Sequence, residues 1–336
     1  MHVENNSLYS FVFSDSLKSF LGDNLEKIAI SPYSQYEDFM LRVNELITEG
    51  KVPDEFIQAC ENKNCENEYD SPYTIFKNCP IDLELPYLSF HNPVEEKRSN
   101  KKTFVAEAFL ALSAILLRQQ PIGYMNVNNG DVFQDIHPKE DLQNSQSQKA
   151  LNAIYFHKDL ANHFVRPDWV NILGLRNNEQ NKIYTCFAKN RDILELLSTE
   201  TKATLAEPLY YTPFDDLSVH KSVITLGEAD IHPILGGVKP TDIRFFENRT
   251  RGTNEYGDRA IAELRRALHA VKTPVFIAPG LFMGAANNDC LHNKEIHEIN
   301  DANDLKNRWL MKTVNVRDLS EHQQHFVQGK NNIVAG

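Results

Sequence analysis

The sequence predicts a mainly β fold with flanking helices: a double-stranded β-helix (jelly-roll) core carrying a helical N-terminal layer. Three observations predict it. The first 120 residues hold apolar side chains at helical spacing; from Gly123 onward short apolar runs alternate with turn signals; and one convincing helix interrupts that second stretch. Many short strands with few helices between them argue for sheets packed face to face rather than for alternating βαβ units. The chain reads as a single domain over 1–336, its residues 1–120 mostly helical and its jelly-roll core spanning 121–320. No internal repeat, low-complexity linker or clear boundary divides it.

The elements follow in order. Residues 36–46 place Phe39, Met40, Val43 and Leu46 on one helical face, and Gly50 supplies a stop. Residues 60–80, polar and rich in Cys, Asn and Pro, read as a loop. Residues 103–118 form a strong helix stopped before Pro121. Within it the apolar run 104–117 contains Glu107 and Ser113 and is too short for a membrane span, so it reads as a buried helix. Strands are expected at 132–133, 153–156, 170–175, 183–187, 223–226, 275–278 and 309–314, punctuated by Asn129-Gly130, Gly236-Gly237 and Pro279-Gly280. The one helix of this half covers 258–271, with Ile261, Leu264, Leu268 and Val271 on one face. Residues 205–217, with Tyr210, Tyr211 and Phe214, read either as a mobile lid over a site or as an aromatic packing loop.

Composition bounds the function. A chain of 336 residues with 41% hydrophobic and 24% charged content is an ordinary globular protein with enough length for a substantial core. The net charge of -11 argues against a general phosphate-binding surface and hence against a nucleic-acid partner, and mildly favours cationic small substrates. No run is long enough to span a membrane, and the N-terminal residues lack the basic and apolar segments of a signal peptide. Five cysteines, an odd number, read as reduced thiols, and the expected compartment is the cytoplasm. Cys60, Cys65 and Cys79 superficially suggest zinc, but no nearby His completes a four-ligand set.

The chemistry is carried by Ile154-Tyr155-Phe156-His157-Lys158-Asp159. Residues two apart on a strand project from the same face, so His157 and Asp159 can reach one ion. The spacing alone is weak, because a chain with 12 His and 46 acidic residues produces roughly one or two such pairs by chance, and His2 with Glu4 is another. Downstream context strengthens it. Pro279-Gly280 is followed by a short strand with His292, then by Arg308 beside Trp309. Two imidazoles and a carboxylate on one face of an octahedron leave three positions open, which suits iron(II) binding a bidentate co-substrate and dioxygen. The planar fork of Arg308 is suited to gripping the far carboxylate of a dicarboxylic co-substrate. His297 competes with His292 as second His ligand, although its spacing from Pro279-Gly280 fits less well. His137, His163, His220, His232 and His269 read as structural or exposed.

In these blocks the chain resembles the clavaminate-synthase-like branch of the taurine-dioxygenase superfamily, which includes arginine, asparagine and lysine hydroxylases. The match covers about residues 126–314. An Asn-Gly turn and following Pro correspond to Asn129-Gly130 and Pro138, and the His-x-acid pair to His157-Lys158-Asp159. The next blocks correspond to Arg166-Pro167-Asp168-Trp169 and Leu173-Gly174-Leu175-Arg176. The resemblance implies iron(II), 2-oxoglutarate and O2, with Thr185 joining Arg308 on the co-substrate. It implies Glu247 for the cationic end of a substrate, Lys312 for a substrate carboxylate and Asn128 for a further substrate contact. Glu247 reads equally as a surface acid beside Arg249. Four departures stand out: Asp159 replaces the usual Glu, Leu281 the Asp after Pro-Gly, Asn293-Lys294 the Gly-Arg after the second His, and Lys312 a second Arg. Retention of Asp159 argues against a halogenase, which needs that position open for chloride.

The expected activity is hydroxylation of a free amino acid, most of all a basic one, L-lysine first and L-arginine second. Same-fold alternatives are a carrier-tethered amino acid or a desaturation. An alternative of another class is a jelly-roll binding protein that has lost catalysis. Oligomeric state is not legible.

Overall fold

The structure is a computed structural model that describes residues 10–213 and 229–335. The strand expected at 223–226, His220 and the stretch of 205–217 beyond residue 213 lie outside the described residues. Helices α1 (Asp15–Glu26), α2 (Tyr36–Thr48), α3 (Asp54–Asn64), α4 (Pro93–Asn100) and α5 (Val105–Leu116) come from the first 120 residues, and α6 (Asn190–Leu196), α7 (Thr199–Leu205), α8 (Glu255–Val271) and α9 (Ala302–Lys306) follow. The strands up to the middle of the chain are β1 (Phe11–Val12), β2 (Tyr73–Lys77), β3 (Gln120–Tyr124), β4 (Gln134–Ile136), β5 (Ile154–His157), β6 (Trp169–Arg176) and β7 (Lys182–Lys189). Beyond them lie β8 (Tyr210–Tyr211), β9 (Ile231–His232), β10 (Arg251–Gly252), β11 (Thr273–Val275), β12 (Phe282–Ala286), β13 (Cys290–Glu298), β14 (Trp309–Val316) and β15 (Ile333–Val334).

A large sheet in the order β1-β2-β12-β6-β14-β3-β15, with β4 also on β14, packs against a smaller sheet in the order β11-β7-β13-β5. Strand alternation sorts side chains into three apolar layers. Phe76, Leu173, Phe282, Trp309 and Met311 point outward from the large sheet onto Leu21, Phe39, Val43, Phe56 and Phe109 of the N-terminal helices. Their neighbours Ile75, Ile172, Met283, Leu310 and Val314 point inward and meet Phe187 and Cys290 of the small sheet. Cys186, Ala188 and Leu291 face the far side and pack on Ile261, Leu264 and Leu268 of α8. Each such buried side chain contributes about 1.5–3 kcal/mol relative to exposure, so the two sheets are clamped from both sides.

Local signals explain the ends of several elements. The Ser14 hydroxyl accepts from the Leu17 N–H at 3.2 Å to start α1, and Asn254 accepts from the Gly257 N–H at 2.9 Å to start α8. Gly50, at φ 67, ends the turn after α2 as its sequence position implies. Gly174 has a different reason: a Cβ there would lie 2.0 Å from the Ala278 carbonyl oxygen. The Pro279-Gly280 turn closes directly over it, with the Gly174 N–H donating to Leu281 O at 3.0 Å and the Gly280 N–H donating to Gly174 O at 2.9 Å.

Four expectations need correction. Residues 60–80 are not one loop, because α3 runs to Asn64 and β2 is buried in the large sheet. Two strands, β1 and β2, come from the region read as helical. The strand after the Asn129-Gly130 turn begins at Gln134, beyond 132–133. Finally, α6, α7 and α9 interrupt the second half besides α8; each is two turns or fewer, too short to set up a periodic pattern. The described part of 205–217 is packing, since Leu205 and Tyr210 are buried against α8 and Tyr210 donates to Thr204 O at 3.1 Å. All five cysteines are free, and no helix among the described residues is long and apolar enough to cross a membrane.

Candidate metal centre

β13 lies antiparallel to β5 with His292 directly opposite His157. Asp159 follows two residues beyond His157, where β5 has ended. Its position is fixed by Asn287, which accepts from the Asp159 N–H at 3.0 Å and donates to Asp159 O at 3.1 Å and Pro167 O at 2.8 Å. Lys158 between the ligands turns away, its ammonium buried between Asp242 and Asn288, each at 2.6 Å. Asn287 and Asn288 therefore hold both sides of this short segment.

Ligand atoms of His157, Asp159 and His292 all lie within 4.8 Å of one another, and theirs is the only such group among the described residues. Asp159 Oδ1 is 3.2 Å from His157 Nε2 and 3.6 Å from His292 Nε2. His157 Nδ1 lies 2.8 Å from the Tyr155 carbonyl oxygen, which can only accept. The proton is thus on Nδ1, and Nε2 offers its lone pair to a cation. Phe246 stacks on the His157 ring at 4.9 Å and Phe187 lies 5.9 Å from that of His292, fixing both planes. Burial, with help from neighbouring His157, pushes His292 below the usual histidine range, which favours the unprotonated ring a metal needs. Burial opposes the charge on Asp159, but the Lys312 ammonium and the two histidines hold its carboxyl well below the usual range. Two neutral imidazoles and one carboxylate fit a divalent iron and leave coordination positions open.

A second group lies on the same inner face. Arg308 is 6% exposed, its Nε donates to Asn177 Oδ1 at 3.2 Å, and burial alone pushes its pKa down to about 10. Thr185 of β7 stands opposite Lys294 of β13. Lys294 donates to Ala150 O at 2.7 Å, and burial followed by nearby Arg308 brings its pKa down to about 7. Neither cation has a carboxylate partner among the described residues. The sequence reading marked Arg308 and Thr185 but treated Lys294 only as a departure.

Lys312 extends from β14 and donates to Asp159 Oδ2 at 2.9 Å, so it sits on the metal-ligand carboxylate itself. Asn128 is buried at φ 47 with neither amide atom partnered. Gln134, not singled out from the sequence, is 2% exposed, lies opposite Lys312 on β4 and has an amide Nε2 without a partner. Its signal was the alternation of β4, in which Asp135 bonds Trp309 on the outer side and Gln134 therefore points inward.

Glu247 is a correction. Phe246 faces His157, and the next residue turns the other way: Glu247 Oε2 accepts from the Phe156 N–H at 3.2 Å and Oε1 pairs with His269 of α8 at 2.7 Å. The carboxylate lies on the helix side of the small sheet, away from the ligands. His297 pairs with Glu295 at 3.1 Å and takes no part in the triad.

No family model matches the sequence. The chain is 24% identical to clavaminate synthase 2 of Streptomyces clavuligerus over 263 residues, covering 78% of each protein. It is 27% identical to L-asparagine oxygenase of Streptomyces coelicolor over 220 residues, covering 63% of this chain and 64% of that one. Among solved structures, asparagine oxygenase with Fe(II), a hydroxyasparagine and succinate superposes with a TM-score of 0.79 at 20% identity, over 96% of this chain and 98% of that one. The non-haem iron oxygenase OrfP with Fe and α-ketoglutaric acid gives a TM-score of 0.77 at 18% identity, over 96% and 99%. In fold along nearly its whole length the chain is similar to asparagine oxygenase and OrfP, and in sequence over most of it to clavaminate synthase 2.

Proposed function

We propose that this protein is an iron(II)- and 2-oxoglutarate-dependent oxygenase that hydroxylates a free amino acid. The observation that carries the reading is the convergence of His157, Asp159 and His292 beside two buried cations with no carboxylate of their own. Bound iron and co-substrate supply the oxidising power to insert one oxygen atom into a C–H bond. The chain's own groups do the rest. His157 and His292 present ring nitrogens, and Asp159 presents one oxygen toward them while Lys312 holds the other. Arg308 and Thr185 receive a co-substrate carboxylate. Asn128 and Gln134 offer unpartnered amides to a polar substrate, and Phe187 and Phe246 keep water from the ligand rings.

The sequence reading placed a basic amino acid first, lysine ahead of arginine, with Glu247 as the group for its cationic end. With that carboxylate engaged by His269, we rank L-arginine and L-asparagine, the amino acids of the relatives' ligands and names, ahead of L-lysine. The test is mass spectrometry of an amino-acid panel incubated with protein, iron(II), ascorbate and 2-oxoglutarate, with succinate measured in parallel. One amino acid should gain one oxygen with matching succinate. Loss of two hydrogens in place of that gain would make the reaction a desaturation. Absence of succinate with every amino acid, together with no iron-dependent binding of 2-oxoglutarate, would leave a catalytically silent binding protein.

A further inference from the structure

We propose that Lys294 is a second cationic ligand of the co-substrate's distal carboxylate, sharing it with Arg308; the inference rests on the oxygenase reading above. Lys294 lies two residues beyond His292 on β13, so its side chain leaves the same face of the strand as that metal ligand. Thr185 faces it across the β7–β13 ladder. Arg308 directly precedes β14, and its partner Asn177 donates to Ile277 O at 3.0 Å, two residues past β11, whose Val275 pairs with Thr185 of β7. Lys294 and Thr185 thus face each other on the inner ladder, and Arg308 is anchored beside the strand that borders Thr185.

The contacts of the two cations are neutral: Asn177 Oδ1 for Arg308 and Ala150 O for Lys294. Elsewhere among the described residues this protein neutralises its buried lysines with acids. Lys97 lies 2.7 Å from Asp135, Lys101 lies 2.6 Å from Glu107, and Lys158 lies 2.6 Å from Asp242. Two like charges withdrawn from water without a counter-ion are unfavourable unless an anion enters between them. A dicarboxylate with one end on the metal has one carboxylate left for that place. Arginine and lysine would hold it differently, the guanidinium through a planar fork and the ammonium as a point charge.

The experiment is equilibrium binding under anaerobic conditions to iron(II)-loaded protein, read by the visible chelate band and by calorimetry. The ligands are 2-oxoglutarate and 2-oxobutyrate, which keeps the chelating end and lacks the distal carboxylate. Lys294→Met should weaken 2-oxoglutarate by roughly 10- to 100-fold, the range of a hydrogen bond to a charged group. It should leave 2-oxobutyrate within about 2-fold, and Lys294→Arg should restore most of the 2-oxoglutarate affinity. Iron content and thermal melting of each variant report whether the site still folds. Unchanged 2-oxoglutarate binding by Lys294→Met overturns the inference. So does equal weakening of both ligands, which would make Lys294 a support for the His292 strand. Wild-type protein that binds iron but neither oxo-acid would overturn the oxygenase reading itself, and this inference with it.

Discussion

An imidazole binds a metal through the nitrogen that carries no proton, so the Tyr155 carbonyl, by taking the proton of His157 Nδ1, decides which nitrogen is left. Among the described residues His292 has no such hydrogen-bonded anchor and is held by packing against Phe187 and His157. Replacing His292 by Ala removes one of three protein donors. Even outer partners of metal ligands change affinity by about 10–100-fold, and loss of a donor should exceed that. Wild-type protein dialysed after anaerobic reconstitution should retain close to one iron per chain and His292→Ala less than about a tenth of that; equal retention would remove His292 from the site. The triad was legible because His157 and Asp159 lie at strand spacing and His292 follows a Pro-Gly turn in the right order. Glu247 was misplaced for a physical reason. It lies outside any strand, in a segment that meets β5 only at the isolated bridge between Phe246 and His157, and no sequence period tells which face such a segment presents. Lys294 was overlooked because an amphipathic cation two residues past a ligand looks the same in sequence whether solvated or buried.

Strands announced themselves where one face met a different environment from the other. β6, β7 and β14 carry runs of apolar side chains broken by a few polar ones and were all anticipated near their true bounds. β12, with the residues Phe-Met-Gly-Ala-Ala, has little β propensity of its own and is held between β2 and β6. The Leu173-Gly174-Leu175-Arg176 block shows why one glycine of the recognised motif is fixed by contact rather than by φ. Gly174→Ala would drive a methyl against the Ala278 backbone, which cannot swing aside as a side chain can. The cost should be at least about 2 kcal/mol, or roughly 3 °C in melting temperature for a chain of this size. Gly22→Ala is the matched control: it lies inside α1, and its Cβ would meet Pro80 Cβ at an ordinary 3.5 Å. That change should raise stability by about 0.5–1 kcal/mol through helix propensity. Urea melts of both variants check the pair. Equal effects would mean that the turn over β6 yields readily.

Across the whole molecule, the three apolar layers place several histidines where a charge is unwelcome. Burial pushes His163 down to about 4, with nearby His325 adding to the effect, and moves His137 and His232 in the same direction. The His163 ring meets Tyr124 edge-on at 4.7 Å, and its Nδ1 accepts from the Val165 N–H at 3.2 Å, a bond open only to the neutral ring. The unfolded chain titrates this group near the ordinary histidine value of about 6.5. Between that value and about 4 the unfolded state binds more protons than the folded one, so stability falls as pH falls. The contribution is fully present above pH 6.5 and lost on descent toward pH 4. Buried carboxyls such as Glu107, Asp131 and Asp289, raised by desolvation, act in the opposite sense. Substitution isolates the histidine from that background. His163→Gln should flatten the fall in unfolding free energy between pH 7 and 4.5, recovering at most about 3 kcal/mol of the pH-dependent part at 1.36 kcal/mol per pH unit. Urea titrations of both proteins at the two pH values measure the difference directly. Parallel slopes would show that the His163 ring takes up its proton without disturbing the packing around Tyr124, and acid sensitivity would then have to come from another buried group.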